Sequence, residues 1–173
     1  MNHVRGRIIA PFLIIFSSGV ALAQPNRQNA PAADVLLTIG GEVERPLKLT
    51  AGDLAKLPRR SVKARDHDGK EVSFEGVEVG EVLKLAGSKF GEQLRGKDLK
   101  LFLLVEAADG YGVVFALPEL LKAHTDRLVL LADVSDGKPL PESQGKLRVI
   151  VPDEKHQSRW VRQVIALTVR RAD

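Results

Sequence analysis

The sequence predicts an α+β domain that is mostly β, with short helices between β-hairpins. Short apolar runs with a two-residue period recur along the chain, and glycine, proline or aspartate residues separate them. Three brief segments instead carry the three- and four-residue apolar spacing of helices. No internal repeat of about 20–50 residues is present, which argues against a solenoid or a propeller.

The composition is that of one globular domain. The chain has 173 residues, of which 44% are hydrophobic and 28% are charged, and this balance is typical of a single folded domain. It contains no cysteine, so disulfides, thiolate nucleophiles and thiolate metal ligands are excluded. Aromatic residues make up only 5% of the chain, and the net charge of +4 falls to +2 without Arg5 and Arg7. These values argue against nucleic-acid binding.

The first 23 residues are expected to be a secretory signal peptide. Arg5 and Arg7 form a positive start, residues 8–20 are mostly apolar, and residues 21–23 (Ala-Leu-Ala) match a small-residue cleavage site. The apolar run is shorter than the ~20 residues of a membrane span, so no span is expected after cleavage. Because Gly6 separates the two arginines, we expect a Sec-type signal and a periplasmic or secreted protein.

The rest of the chain divides into a linker and one domain. Residues 24–33 are rich in proline, asparagine and alanine, which predicts a flexible linker. Residues 34–173 are assigned to the domain. Its first elements are an apolar strand over residues 34–43 and a short extended piece over residues 47–49.

Two helices and a hairpin are predicted next. Thr50 is expected to cap a short helix, with Asp53 as its capping-box partner. A hairpin is predicted over residues 61–74 because alternating runs flank an Asp-His-Asp-Gly turn, and Asp-Gly is a strong hairpin signal. A second helix begins at Val79, since apolar residues recur three, four and seven positions later, and Gly87 ends it.

The C-terminal half predicts further strands, a third short helix and a polar loop. The helix begins at Pro118 and continues through His124. The polar loop, residues 153–159, precedes Trp160 and lies between the last two strands, a position where ligand contacts are common. The last strand but one alternates as if one of its faces were buried. The predicted strands cover residues 99–105, 113–117, 128–134, 147–151 and 161–169.

No sequence motif for metal, nucleophilic or phosphate chemistry is present. His67, His124 and His156 are not spaced as paired metal ligands. Neither the G-x-S-x-G motif nor a glycine-rich phosphate-binding motif occurs. No metal ligand and no catalytic residue is therefore assigned.

Cationic side chains near strand ends have two interpretations. They are either anion contacts or a solvated basic edge that prevents sheets from pairing. Both interpretations stay open for Arg148 and Arg159. The basic edge is favoured for Arg65, Lys155 and Arg162.

Four segments, in order, resemble one known family. They are TIGGEVERPLKLTAGDLAKLP from Thr38, FEGVEVGEVLKLAG from Phe74, EAADGYGVVFAL from Glu106 and DGKPLPESQGKLRVIVP from Asp136. Together they are similar to the oxidoreductase molybdopterin-binding domain, which has a sulfite-oxidase-like fold. Lys146 stands where proline is usual in that family.

The resemblance implies a molybdopterin cofactor whose molybdenum is bound by a cysteine thiolate. That thiolate comes from the region after the first helix, which here is Val62–Gly69. The region offers Arg65, Asp66, His67 and Asp68 instead, and carboxylates and imidazoles are harder ligands than thiolates. We therefore expect no cofactor, and molybdopterin is the one that the resemblance still allows.

Two functions of different class follow from the resemblance. The first is a non-catalytic periplasmic module that binds a small anionic or heterocyclic ligand, or a periplasmic protein partner. The second is a molybdopterin-dependent oxidoreductase with non-cysteine ligation, so enzymatic activity is left open. The candidate ligand site consists of Arg65, His67, Tyr111, Arg148, His156 and Arg159.

Overall fold

The computed structural model describes residues 34–88 and 94–173. The predicted signal peptide (residues 1–23) and linker (residues 24–33) lie outside these residues. The described chain is mostly β-strand with a few short helices, which confirms the α+β, mostly β class. None of the described helices is long and apolar enough to cross a membrane.

Short elements make up the described chain. The strands are β1 (Val35–Gly41), β2 (Leu47–Thr50), β3 (Arg59–Arg65), β4 (Glu71–Glu78), β5 (Leu101–Ala107), β6 (Gly112–Ala116), β7 (Leu130–Ser135), β8 (Lys138–Pro139), β9 (Arg148–Ile150) and β10 (Val164–Arg171). The α-helices are α1 (Ala51–Leu54) and α2 (Val79–Leu85). Short 3₁₀ helices cover Gly96–Lys100, Leu117–Leu120, Glu142–Gln144 and Gln157–Arg159.

The strands form two five-stranded sheets. Sheet A has the order β2-β1-β10-β5-β6, in which the β1–β10 pair is parallel and the other pairs are antiparallel. Sheet B has the order β3-β4-β7-β8, and β9 also pairs with β7. Because β1 pairs with β10, the first and last strands of the domain lie side by side in one sheet.

One hydrophobic core receives side chains from both sheets. In sheet A, alternate residues of β5 are buried, among them Leu103 and Val105. Sheet B contributes Phe74 and Leu130, which are both 0% exposed. The two sheets therefore pack through their inner faces, and each keeps an outer face.

Several local predictions are confirmed. The Asp53 N–H donates to Thr50 Oγ1 at 3.2 Å, and the Thr50 N–H donates to the Asp53 carboxylate at 3.1 Å, so the capping box is complete. The predicted hairpin forms from β3 and β4. Gly69 in its turn and Gly87 after α2 have φ of +83° and +73°, which glycine adopts without steric cost.

Two predicted elements differ from the structure. β5 begins at Leu101 because the preceding residues form a 3₁₀ helix, and Leu99 is 50% exposed. The helix predicted from Pro118 to His124 is wrong beyond a short 3₁₀ helix that ends at Leu120. Leu121 has extended backbone (φ −119°, ψ 124°), so that Leu120 and Leu121 are both buried.

The strand β9 also departs from its predicted pattern of burial. Every residue from Leu147 to Val151 is buried, so the prediction of a single buried face is wrong. One side of β9 pairs with β7. On the other side, the Val149 N–H donates to the carbonyl of Val161 at 2.8 Å. Both edges of β9 are therefore covered, and the Phe74 and Trp160 rings, each 5.4 Å from the Arg148 guanidinium carbon, cover the face that carries Arg148.

Candidate functional site

A cleft of about 500 Å³ lies where three loops meet. The loops are the β3–β4 turn, the β5–β6 turn and the segment from the polar loop to β10. The residues that line the cleft are His67, Asp109, Tyr111, Gln157, Ser158, Trp160 and Arg162. Two of the predicted site residues, His67 and Tyr111, are therefore brought together here.

Tyr111 joins the β5–β6 turn to the polar loop. Its hydroxyl donates to the carbonyl of Ser158 at 2.6 Å, across 47 residues of sequence. Its N–H donates to the Asp109 carboxylate at 2.9 Å, which closes the turn. The side chain is nevertheless 49% exposed, so its ring remains available to a ligand.

Trp160 forms the base of the cleft. It is 4% exposed, and its Nε1–H donates to the carbonyl of Val151 at 2.9 Å. The His67 ring lies edge-on to it with a centroid distance of 6.4 Å, and Phe74 packs edge-on from the core at 5.9 Å. Such edge-to-face contacts are a favoured arrangement of aromatic rings, and they fix the base of the cleft.

Arg148 lies beneath Trp160 and is fully buried. Its guanidinium makes two hydrogen bonds to the Asp66 carboxylate, at 2.6 and 3.0 Å, and a third to Gln144 Oε1 at 2.8 Å. The Phe74 and Trp160 rings each lie 5.4 Å from the guanidinium carbon. The Arg148 Nε is buried without a partner. Arg148 thus satisfies Asp66 inside the protein and does not line the cleft.

The β3–β4 turn presents Asp66 inwards and His67 outwards. The Asp66 N–H donates to the Lys70 carbonyl at 2.8 Å, and the Gly69 N–H donates to the Asp66 carbonyl at 2.9 Å. The Asp66 carboxylate also accepts the His67 N–H at 2.7 Å. Hydrogen bonding from Arg148 is the main reason that the pKa of Asp66 is lowered to about 2, because it stabilises the ionised carboxylate.

Arg159 lies away from the cleft, over the free edge of sheet A. Its guanidinium stacks on Phe115 at 4.3 Å and pairs with Glu154 and Glu119. It also donates to the carbonyl of Val114 at 3.4 Å, while Glu119 accepts the Ala116 N–H at 3.1 Å. These contacts occupy backbone groups of β6 that an added strand would need.

The other two predicted residues are exposed. Arg65 contributes its carbonyl, which accepts from Gln157 Nε2 at 3.0 Å. His156 lies just before the 3₁₀ helix of the polar loop. The six predicted residues therefore fall in different places, and the assignment of the ligand site stays a prediction.

The structure adds Arg162 to the cleft, which the sequence analysis assigned to a basic edge. Arg162 is exposed and forms no ion pair with another described residue. The sequence feature that could have indicated this role is the position of Arg162 two residues after the only tryptophan, because Trp160 forms the base of the cleft.

Metal-binding groups are scarce in residues 34–88 and 94–173. No group of three or more histidine, aspartate or glutamate side chains among them could hold a metal ion. In the β3–β4 turn, Asp66 is paired with Arg148, and the Asp68 carboxylate accepts the Lys70 N–H at 3.0 Å. His67 is left as a single exposed imidazole.

No curated protein sequence matches the chain significantly. Among solved structures, it is similar to the crystal structure of the sulfane dehydrogenase SoxCD from Paracoccus pantotrophus, with a TM-score of 0.62 and 24% identity. The match covers 79% of this chain and 38% of that chain, and it shows the sulfite-oxidase-like fold alone.

The family match covers the whole domain. The family described as "Oxidoreductase molybdopterin binding domain" matches residues 23–173. This match confirms the family that the four sequence segments indicated. The chain belongs to the oxidoreductase molybdopterin binding domain family.

Proposed function

We propose that this domain is a non-catalytic periplasmic or secreted module that binds a small anionic or heterocyclic ligand. The single observation that carries the proposal is the Asp66–Arg148 ion pair in the region where a metal-binding cysteine is implied. A carboxylate that already has two charge-assisted hydrogen bonds is a poor metal ligand, since coordination would leave Arg148 unpaired in the core.

The residues present do not fit the molybdenum centre that the family implies. The chain has no thiol. In the described turn, both carboxylates are bonded within the protein, which leaves the imidazole of His67. A single imidazole is a different donor set from a thiolate, so we derive no redox step for this domain.

The chemistry of the cleft supports a small anionic ligand with an aromatic ring. Arg162 offers a guanidinium without an ion-pair partner in the described chain, and this group binds carboxylates and phosphates in two-point contacts. His67 and Tyr111 offer aromatic rings. A cleft with ring surfaces and a few polar groups is a typical small-molecule site.

Metal analysis and native mass spectrometry of protein purified from its own compartment test the proposal. We expect little molybdenum and a co-purifying small molecule. Stoichiometric molybdenum would instead support the alternative, a molybdopterin-dependent oxidoreductase with non-cysteine ligation. A protein found only in the cytoplasm would contradict the proposed location.

Arg162→Ala tests the cleft directly. Loss of a hydrogen bond to a charged group costs about 1.5–3 kcal/mol of binding free energy. The affinity for the identified ligand, or for an aromatic carboxylate used as a probe, should therefore fall about 10- to 100-fold. Arg95→Ala, an exposed arginine outside the cleft, is the control. Equal affinities in both variants would remove Arg162 from the site.

A further inference from the structure

The outer face of sheet A is apolar at its centre. Strand alternation turns these side chains away from the core, and the strand register makes them neighbours, with Leu104 opposite both Val114 and Thr168. Val114 is 52% exposed. The residues of this face are Phe102, Leu104, Val114, Ala116, Ala166 and Thr168.

The outer face of sheet B is polar by comparison. Strands β3 and β4 present Ser61, Lys63 and Glu71 to solvent there. Arg59 makes two hydrogen bonds to Asp133 on the same sheet, at 2.6 and 2.9 Å. The two sheets therefore differ in what they offer to another molecule, and the apolar patch is on the outer face of sheet A.

Opposite charges lie at the two ends of the apolar face. Glu106 is next to Ala166, and Arg170 is next to Phe102, so they are four residues apart along the strands, or about 13 Å. Arg170 is exposed and has no ion-pair partner in the described chain. Glu106 accepts a hydrogen bond from Thr168 Oγ1 at 3.0 Å.

We propose that this face binds a second copy of the chain in a symmetric, face-to-face dimer. A two-fold axis that runs parallel to sheet A above its outer face, perpendicular to the strands and near Leu104 and Thr168, brings the Glu106 end of one copy over the Arg170 end of the other. Two symmetric charge pairs then flank an apolar centre, as an isologous interface requires.

Pairing through the edge of the sheet is a weaker alternative. The Arg159 and Glu119 side chains bond to the outward carbonyl of Val114 and the outward N–H of Ala116 on β6. An incoming strand would have to displace this ion pair. The face, and not this edge, is therefore the surface that is open to a second copy.

The size of the face predicts a weak dimer. The apolar residues lie on the three strands β10, β5 and β6. Three strands at about 4.8 Å spacing give a width of about 14 Å, and a height of about 13 Å gives about 190 Å² in projection. Standard interfaces bury about 800 Å² on each partner. We therefore expect dissociation in the micromolar to millimolar range. Association should be weaker at high salt, because salt screens the flanking charges, of which Arg170 is exposed and Glu106 half-buried.

Sedimentation velocity of the purified protein from about 1 μM to about 1 mM tests the proposal, over the range of weak affinities. We expect a monomer–dimer equilibrium. Val114→Lys should weaken it at least tenfold. Ser61→Lys, which adds the same charge to the outer face of sheet B, should leave it unchanged.

Charge reversal tests the two-fold arrangement without touching the apolar centre. Arg170→Glu and Glu106→Arg should each weaken the dimer, and the double variant should restore it. A protein that is monomeric at every concentration overturns the proposal, as does a dimer that Val114→Lys leaves intact. A double variant that dimerises no better than either single variant overturns the proposed symmetry.

Discussion

The buried ion pair between Asp66 and Arg148 gives the sharpest test of this structure. Asp66→Asn removes the negative charge and nearly preserves the shape of the side chain. Arg148 is 0% exposed, so its guanidinium then stays in the core without a carboxylate. It keeps the hydrogen bond to Gln144 Oε1 and can at most donate to the uncharged amide oxygen at position 66.

The expected loss of stability follows from the burial of the two partners. Breaking a buried pair by removing one partner costs about 3–5 kcal/mol. The Asp66 side chain is 14% exposed, and an amide at this position still accepts a hydrogen bond. We therefore expect Asp66→Asn to lower the free energy of unfolding by about 2–3 kcal/mol. That is a large share of the ~5–15 kcal/mol that stabilises a typical domain.

Equilibrium unfolding in urea, followed by tryptophan fluorescence, measures this loss. Trp160 is the only tryptophan, and its ring lies 5.4 Å from the Arg148 guanidinium carbon, so it reports on the region of the pair. Asp68→Asn is the matched control in the same turn. Its side chain is 55% exposed, so its effect should be much smaller than that of Asp66→Asn.

A second substitution separates the lost charge from other causes. Arg148→Met combined with Asp66→Asn removes the unpaired cation and should recover part of the stability. A loss below about 1 kcal/mol for Asp66→Asn would show that the pair is not buried as described. A double variant less stable than Asp66→Asn alone would show that the unpaired charge is not the cause.

Two further predictions concern acid and backbone conformation. The pKa of Asp66 is about 2 in the folded protein and ~3.9 in an unfolded chain. Ionised Asp66 therefore stabilises the fold fully above the pKa of the unfolded chain, and this contribution is lost as the pH falls through the pKa of the folded protein. The stability gap between wild type and Asp66→Asn should therefore shrink by about 1–2 kcal/mol between neutral pH and pH ~2; a constant gap in urea unfolding at graded pH would contradict this. Gly145 has φ +76°, and an added Cβ would lie 2.7 Å from the Gln163 Cα, so Gly145→Ala should lower stability by about 1–3 kcal/mol. Thermal unfolding should show a smaller loss for Gly137→Ala, which has φ +73° but open space around it, and equal losses would rule out the close contact as a cause.

The parts of the fold that the sequence predicted well depend on residues close together along the chain. The capping box joins Thr50 to Asp53, and the β3–β4 hairpin depends on its Asp-Gly turn. The helix predicted from Pro118 does not extend to His124, because packing in the core favours an extended backbone at Leu121. Burial of Leu120 and Leu121 outweighs local helix preference there.

The candidate site was harder to predict, because its contacts join distant parts of the chain. Asp66 and Arg148 are 82 residues apart, and Tyr111 and Ser158 are 47 apart. The alternation of β9 places Arg148 on the face opposite Leu147 and Val149, which suggests exposure. The Phe74 and Trp160 rings and the Asp66 carboxylate cover that face instead. His67 and Tyr111 line the same cleft, whereas Arg159 covers the β6 edge of sheet A.

The sequence by itself determined the strand-rich class, the positions of the turns, the family and the absence of any thiol, since these depend on residue type and local order. Only the tertiary structure decided which cations are buried, which are paired and which one faces the cleft. The physical reason is that the charge environment of a side chain is set by the strands and loops packed around it, and sheet pairing brings those from remote positions.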